Sequence, residues 1–310
     1  MEILRLEAVT KEFDGLRAVD NFSWVVPQGC IYGLLGPNGA GKTTTIRMIL
    51  NIILPDKGTI EVFGGKMTEK EYARIGYLPE ERGLYKKLKI REMLKFLAEI
   101  KGIDGSSVHN LIEEWLRRFD LYAYRDRKVE ELSKGMQQKL QFISTVIHNP
   151  DLLILDEPFS GLDPVNADLL KDIILEMKNQ GKTIILSTHQ MEQAERLCDN
   201  ICMINKSKKV FDASLQEIKR KYSKNNIIIE FYGEPKFIDK CKHMIEKVNV
   251  YSNYAEIRLK DKNYASELLK EAISTVTVNR YEIAEPSLHD IFVEIVSEKT
   301  LPTQNVRSDL

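Results

Sequence analysis

The fold of this chain is decided by one glycine-rich stretch, Gly36-Pro37-Asn38-Gly39-Ala40-Gly41-Lys42-Thr43. An apolar run at residues 31 to 35 precedes it, and a helical pattern that opens with Thr44 follows it. A strand, a glycine-rich loop and a helix in this order form the context of a phosphate-binding loop. Glycine lets backbone N–H groups turn inward toward an anion, and the helix N-terminus adds unpaired donors and partial positive charge. The stretch therefore predicts a nucleotide-binding site.

Two side chains at the end of this loop carry the predicted chemistry. Lys42 is placed to reach the β- and γ-phosphates of a nucleotide, and the Thr43 hydroxyl to hold Mg²⁺. The backbone from Gly36 to Thr44 supplies the other phosphate contacts. A glycine-rich turn with an exposed lysine is the competing interpretation, and the flanking strand and helix favour the nucleotide site.

Length and composition limit the classes of protein that fit. The chain has 310 residues, 43% of them hydrophobic and 29% charged, and a net charge of −1. This length predicts two domains, and the near-zero charge gives no field that would recruit nucleic acid. No apolar run reaches the roughly 18 to 20 residues that cross a bilayer, and the N-terminus lacks the features of a secretion signal. The four cysteines, with Cys198 and Cys202 spaced as neighbours on one helix face, do not have zinc-site spacing. A cytoplasmic protein with reduced cysteines is expected.

Strands and helices alternate around the loop. Short apolar runs typical of strands buried on both faces occur at residues 31–35, 75–78, 152–155, 183–186 and 201–204. A strand pair at 3–10 and 22–26 turns at Asp14-Gly15, and a helix is predicted at 42–53. Three helical patterns at residues 88–148 predict a helical subdomain inserted into a doubly wound parallel sheet.

A second domain is predicted after a basic stretch at residues 206–224. The order is β-α-β-β-α-β, typical of a ferredoxin-like unit, with strands and helices at 227–232, 235–247, 248–251, 254–260, 263–274 and 276–283. A short helix at 287–296 follows. We predict a first domain at 1–215, a small α+β domain at 225–297 and a disordered tail at 298–310.

A pair of acids, Asp156 and Glu157, follows the apolar run at 152–155. By itself a strand that ends in Asp-Glu-Pro is more often a turn. Beside a phosphate-binding loop, however, Asp156 is placed to share Mg²⁺ with Thr43, and Glu157 to polarise a water for attack on the γ-phosphate. The loop, the two acids and His189 all fall at the carboxyl ends of predicted strands, where the ligand site of such a sheet lies.

Four further motifs define the family. They are Leu132-Ser133-Lys134-Gly135-Met136, Ser160-Gly161-Leu162-Asp163, the lone His189, and Phe13 ahead of Ala18. No single motif is specific, but the set in this order resembles the nucleotide-binding subunit of ATP-binding cassette (ABC) transporters over residues 1 to 215. The resemblance implies an α/β P-loop NTPase core, with the helical subdomain at about 88–148, that hydrolyses ATP.

The resemblance also implies a role for each motif. Phe13 matches the aromatic residue that stacks on adenine, and His189 matches the switch histidine that contacts the γ-phosphate. Ser133 and Gly135 match the signature motif, which meets the γ-phosphate of ATP held by the other subunit. Asp163 matches the loop that crosses this interface. A homodimer that sandwiches two ATP molecules is therefore implied.

Two positions depart from the family pattern. The signature reads Ser-Lys-Gly-Met in place of Ser-Gly-Gly-Gln, so Lys134 brings a cation that either aids ATP binding or points to solvent. Glu80 stands where the family usually has glutamine, and its carboxylate is expected to ligate Mg²⁺ directly or through water.

Two segments narrow the branch of the family. The sequences IGYLPEERGLY, from Ile75, and EPSLHDIFVE, from Glu285, look like those of the sodium-extrusion and drug-resistance exporter ATPases. In that branch the integral membrane permease is a separate chain, so the resemblance implies a peripheral subunit on the inner face of the cell membrane. A soluble regulatory ABC-type ATPase and the ATPase subunit of an importer remain the alternatives.

Overall fold

The computed structural model describes residues 1–81, 83–103, 105, 107–222 and 225–298. The chain divides into an N-terminal unit, Met1–Ser214, and a C-terminal unit, Leu215–Leu310. The predicted disordered tail lies outside the described residues except for Glu298, which ends a helix.

The strands of the N-terminal unit form two sheets. The strands are β1 (Glu2–Phe13), β2 (Leu16–Pro27), β3 (Ile31–Leu35), β4 (Lys57–Val62), β5 (Ile75–Leu78), β6 (Leu152–Asp156), β7 (Thr183–Thr188), β8 (Asn200–Asn205) and β9 (Lys208–Ser214). An antiparallel sheet has the order β2-β1-β4, and the larger sheet has the order β5-β6-β7-β3-β8-β9. In the larger sheet all neighbours are parallel except β8 and β9. The predicted doubly wound core is confirmed.

The helices of this unit follow the strands. They are α1 (Lys42–Ile49), α2 (Glu69–Ala73), α3 (Ile90–Ile100), α4 (Ser107–Arg118), α5 (Lys134–Val146), α6 (Pro164–Asn179) and α7 (Met191–Leu197). Every residue of β3, β6 and β7 is buried. The polar side chains of the site lie in the last residues of β6 and β7 and just beyond the carboxyl ends of these strands.

The helical subdomain, α3 to α5, is tied to β5 by two side chains. Lys101 Nζ, at the end of α3, donates to Tyr72 O at 2.6 Å and to Ile75 O at 3.0 Å. His148 Nε2, just after α5, lies 3.1 Å from the same Ile75 oxygen. Burial, with the nearby Lys101 charge, lowers the pKa of His148 to about 4.

The structure corrects a predicted helix end and a predicted cysteine placement, and it resolves the elements at the predicted domain boundary. Helix 42–53 ends at Ile49, because Asn51 takes a left-handed φ of 53° that a helix interior does not accept. The basic stretch at 206–224, which was predicted to mark a domain boundary, contains β9 and α8, and the two units divide between these elements. Cys202 lies in β8, not on a helix face with Cys198, because strand pairing with β3 extends through it.

The C-terminal unit is built on a four-stranded antiparallel sheet. Its elements are α8 (Leu215–Tyr222), β10 (Asn226–Tyr232), α9 (Phe237–Lys240), β11 (Ile245–Val250), β12 (Tyr254–Leu259), α10 (Ala265–Thr275), β13 (Thr277–Ala284) and α11 (Leu288–Glu298). The sheet order β11-β12-β10-β13 is that of a ferredoxin-like unit. The helix predicted at 235–247 is a single short turn, because residues from Ile245 onward pair with β12 instead.

Candidate functional site

The phosphate-binding loop connects β3 to α1, and two of its glycines have no substitute. A Cβ on Gly36 would lie 2.1 Å from Ile204 O, and one on Gly41, at φ 108°, would lie 2.4 Å from Ala18 O. Both distances are shorter than any real contact, so a side chain at either position would displace backbone. The sequence forms this loop because only glycine fits there.

Lys42 is held inside the loop. Its side chain is 7% exposed, and Nζ donates to Gly36 O at 2.8 Å and to Pro37 O at 3.3 Å. Burial lowers the pKa of Lys42, and the Glu157, Asp156 and Glu80 carboxylates oppose that shift. The ammonium group is therefore held by neutral carbonyls near an acidic group, with Glu157 Oε1 at 4.0 Å.

Asp156 ends β6 and is bracketed by two hydroxyls. Thr43 Oγ1 donates to Asp156 Oδ2 at 2.9 Å, and Ser187 Oγ donates to Oδ1 at 2.7 Å. Burial raises the pKa of Asp156, while both hydrogen bonds act to lower it. A hydroxyl and a carboxylate oxygen in contact are the donor set that Mg²⁺ prefers.

Glu157 follows in a left-handed backbone conformation, φ 50°, and is 5% exposed. The last residue of β7 and the residue that follows it surround the Glu157 carboxylate. Thr188 Oγ1 donates to Oε2 at 2.9 Å, and the backbone N–H of His189 donates to Oε1 at 2.9 Å. His189 Nδ1 lies 2.7 Å from the same Oε1, while its side chain is 47% exposed. Glu157 is therefore an oriented carboxylate at the rim of the phosphate loop.

These groups open into a cavity of about 430 Å³. It is lined by Leu16, Arg17, Ala18, Asn38, Gly39, Gly41, Lys42, Thr43, Thr44, Glu80, Asp156, Glu157 and Ser207. The structure thus brings Glu80 and the two acids to the phosphate loop. His189 reaches the site through Glu157, and Phe13, which is 44% exposed at the end of β1, lies outside the cavity lining.

The remaining predicted residues lie on other elements. Ser133 is the N-cap of α5, and its Oγ accepts from Met136 N at 3.3 Å. Asp163 is the N-cap of α6 and accepts from Asn166 N at 3.0 Å, which with the Asn166 side chain lowers its pKa. Neither residue lines the cavity, nor does Gly135. Within one copy of the chain, the signature segment and the phosphate loop are therefore separate.

Sequence reasoning missed several residues of the site. Arg17 and Ser207 line the cavity, and Ser207 Oγ donates to Arg17 O at 2.6 Å. Ser187 and Thr188 hold the two acids. The sequence did contain a signal for Ser187 and Thr188, since these two hydroxyl residues directly precede His189 at the end of an apolar run. The sequence contained no such signal for Arg17 and Ser207, because a turn far along the chain brings Ser207 back to β2.

Comparison with known proteins decides the family. Residues 19–160 match the family model described as ABC transporter, and residues 214–296 match one described as the C-terminal domain of DrrA1-3-like ATP-binding proteins. The uncharacterized ABC transporter ATP-binding protein YhaQ of Bacillus subtilis is 42% identical over 294 residues, which are 95% of this chain and 98% of that protein. This chain belongs to the ABC transporter ATP-binding proteins.

Other relatives agree with this assignment. The Nod factor export ATP-binding protein I of Paraburkholderia xenovorans is 30% identical over 300 residues, which are 96% of this chain and 97% of that protein. A solved structure titled as the ATP binding subunit of an ABC transporter superposes with a TM-score of 0.67 at 30% identity, covering 71% of this chain and 93% of that one.

The resemblance drawn from the motifs is confirmed. This ABC protein binds ATP and, as its family does, hydrolyses it to power transport. Its relatives also bear out the exporter and drug-resistance branch of the family. Among the described residues, no helix is both long and apolar enough to cross a membrane.

Proposed function

We propose that this chain powers an ABC exporter whose integral membrane permease is a separate polypeptide. Two copies of the chain close around two ATP molecules, and hydrolysis reopens the pair and resets the permease. The chain then sits on the inner face of the cell membrane, held there by the permease.

The observation that carries the dimer is the division of the site. The phosphate loop and the acids share one cavity, whereas Ser133, Gly135 and Asp163 lie on other elements and outside its lining. Ser133 and Asp163 are exposed helix N-caps, so both present helix N-termini outward. A helix N-terminus favours an anion, and the γ-phosphate held by a second copy supplies one.

The chemistry follows from the side chains of this chain. Lys42 exchanges its loop carbonyls for phosphate oxygens, and the loop N–H groups cradle the same phosphates. Thr43 and Asp156 would hold Mg²⁺, which would neutralise phosphate charge when bound, and Glu80 is the third candidate ligand at the cavity wall. Glu157 takes the proton of the attacking water, because its carboxylate is oriented at the rim of the phosphate loop. His189 holds that carboxylate and contacts the γ-phosphate.

Two further residues act outside the cavity lining. Phe13 stacks on adenine beyond the lining residues, next to Leu16 on the paired strand. Lys134, exposed at the start of α5, faces the phosphates of the partner copy. Its cation complements the triphosphate in the closed dimer.

The export direction is supported by the relatives. The Nod factor export ATP-binding protein I of Paraburkholderia xenovorans matches 96% of this chain, and proteins of the same name from other bacteria match 66 to 75% of it. The C-terminal match to a DrrA1-3-like domain points to the same branch of the family.

Affinity purification of the full chain from detergent-solubilised membranes tests this proposal. A multi-span membrane protein in stoichiometric amount is the expected companion. Sealed inside-out vesicles that contain this pair should then take up the molecule that the permease transports when ATP is added outside. Uptake in this orientation corresponds to export from the cell. Recovery of the chain without a membrane partner would contradict the proposal, as would ATP-driven movement in the opposite direction.

A further inference from the structure

We infer that Thr188 is a positioning residue for ATP hydrolysis: its hydroxyl orients the Glu157 carboxylate for proton transfer. This inference rests on the proposed role of Glu157 as the base. The Thr188 side chain is buried and does not line the cavity. Its hydroxyl is hydrogen-bonded to the Glu157 carboxylate and to the backbone N–H of Gln190.

The first support is the register of two neighbouring strands. Asp156 of β6 lies opposite Ser187 of β7, and Glu157 N donates to Ser187 O at 2.9 Å. Each acid therefore has a hydroxyl residue beside it on the next strand. Ser187 Oγ donates to Asp156, and Thr188 Oγ1 donates to Glu157. Successive side chains of a strand point to opposite faces, so one strand end serves two acids with different tasks.

The direction of the Thr188 proton is fixed by its other partner. Thr188 Oγ1 accepts the backbone N–H of Gln190 at 3.0 Å and lies 2.9 Å from Glu157 Oε2. A hydroxyl has one donor and two acceptor positions. The Gln190 N–H takes one of the acceptor positions, and a carboxylate oxygen accepts, so the hydroxyl hydrogen is directed to Glu157 Oε2.

The two carboxylate oxygens of Glu157 are held differently. Oε1 receives the His189 N–H and faces the His189 ring, whereas Thr188 is the donor to Oε2 among the residues that the structure describes. Thr188 is 1% exposed, so water does not replace it there. Without this hydroxyl, only the contacts to Oε1 hold the terminal torsion of the Glu157 carboxyl group. Such sp³–sp² torsions are broad when packing does not hold them.

A general base must meet the proton it accepts within hydrogen-bond reach and at a set direction. We therefore expect Thr188→Val, which keeps the shape and removes the hydroxyl, to lower kcat by about 10- to 100-fold. ATP affinity should stay within about threefold of the wild type, because Thr188 does not line the cavity. Thr188→Ser restores the hydroxyl and should recover kcat to within about threefold.

The experiment uses the full chain with ATP and Mg²⁺, and measures ATP binding, single-turnover hydrolysis and thermal unfolding. Thr183→Val is the matched control. It removes a buried hydroxyl at the opposite end of the same strand, where Thr183 Oγ1 accepts from Gly29 N at 2.9 Å. We expect this control to lower the unfolding temperature without lowering kcat. Thr188→Ala replaces Thr188→Val if the latter does not fold.

A double-mutant cycle separates positioning from a general structural effect. In the Glu157→Gln background, Thr188→Val should slow hydrolysis by less than about twofold further, because its effect acts through the lost carboxylate. A full additional loss in that background would overturn the inference. So would normal turnover of Thr188→Val beside a slow Glu157→Gln, which would leave the base assignment standing. Normal turnover of Glu157→Gln itself would instead remove the base assignment, and this inference with it.

Discussion

At the scale of single residues, Glu157 is held by its backbone conformation and by hydrogen bonds to both oxygens of its carboxylate. Its backbone is left-handed at φ 50°, and the end of β7 supplies donors to both carboxylate oxygens. A non-glycine residue in that conformation costs free energy, which the surrounding hydrogen bonds offset. Such a residue persists where its orientation matters, which agrees with its proposed role as the base.

Replacement of this base gives the first prediction. Glu157→Gln should reduce ATP hydrolysis by about 100- to 10,000-fold, because an amide does not accept the proton of the attacking water. ATP binding should persist, since the phosphate loop is unchanged. Single-turnover hydrolysis and equilibrium ATP binding measure the two effects. Hydrolysis at the wild-type rate would show that another group is the base.

Loss of the Lys42 ammonium group should affect ATP binding and not only hydrolysis. Lys42→Ala removes the ammonium group that the loop carbonyls hold at 2.8 and 3.3 Å, so the phosphates lose their charged partner. We expect ATP affinity to fall by about 10- to 100-fold, the scale of one charge-assisted hydrogen bond. Titration with a fluorescent ATP analogue measures this. Lys66→Ala, at an exposed position outside the cavity lining, is the control. Equal affinities in all three proteins would contradict the predicted phosphate site.

At the scale of elements, the helical subdomain and the catalytic sheet meet at β5. The Ile75 carbonyl faces both Lys101, from the end of α3, and His148, from the end of α5. Gly76 allows α5 to approach β5 closely, because a Cβ on this glycine would lie 2.4 Å from Thr145 O. The strand that leads to Glu80 is thus in direct contact with the residues that follow α3 and α5.

His148 makes this contact sensitive to acid. Burial holds its pKa at about 4, below the usual value of 6.5, so the unfolded chain binds the proton first as the pH falls. The stabilisation is therefore complete above about pH 6.5 and is lost as the pH falls toward 4, by at most about 1.4 kcal/mol per pH unit. His148→Gln, which retains a donor for Ile75 O, should flatten this slope.

Urea unfolding at several pH values between 4 and 7 measures that slope. Fluorescence of Trp24 and Trp115 reports on the N-terminal unit, where both tryptophans lie. His109→Gln, at an exposed position on α4, is the control and should keep the wild-type slope. A His148→Gln protein with the wild-type slope would show that other groups cause the acid sensitivity.

At the scale of the whole molecule, the proposed site is completed by a second copy of the chain. Gly135 tests this without disturbing the monomer, because a Cβ at this position meets nothing within 4 Å. Gly135→Asp should leave thermal unfolding unchanged, since an acid in the first turn of a helix is favourable. In the Glu157→Gln background it should abolish the ATP-dependent dimer, because its carboxylate would face the partner's phosphates.

Light scattering with and without ATP measures that dimer. Glu157→Gln alone should shift from monomer to dimer on addition of ATP, and Gly135→Ala should weaken this dimer less than Gly135→Asp does. A dimer that forms equally well with and without the Gly135→Asp substitution would place the signature segment outside the interface.

The sequence by itself determined the phosphate loop, the two acids and the succession of buried strands along the chain, because each depends on local spacing, and the resemblance of its motifs indicated the family. Glycines at fixed positions, an acid pair after an apolar run and a capping serine before a helix are all readable within a few residues. The end of α1 at residue 49 and the starts of β9 at 208 and β11 at 245 could not be predicted from local spacing. They depend on left-handed Asn51, on pairing of β9 with β8 and on pairing of β11 with β12.

Only the tertiary structure decided which side chains meet. Thr188 and Ser187 reach the acids because β6 and β7 are neighbours in register, although 31 positions separate each hydroxyl from its acid. Ser207 and Arg17 line the cavity because β9 returns beside β8, and 190 positions separate the two residues. Such contacts follow from strand order, which sequence spacing does not contain. The local motifs specify a site that binds ATP, and the sheet places the hydroxyls that hydrogen-bond to its two acids.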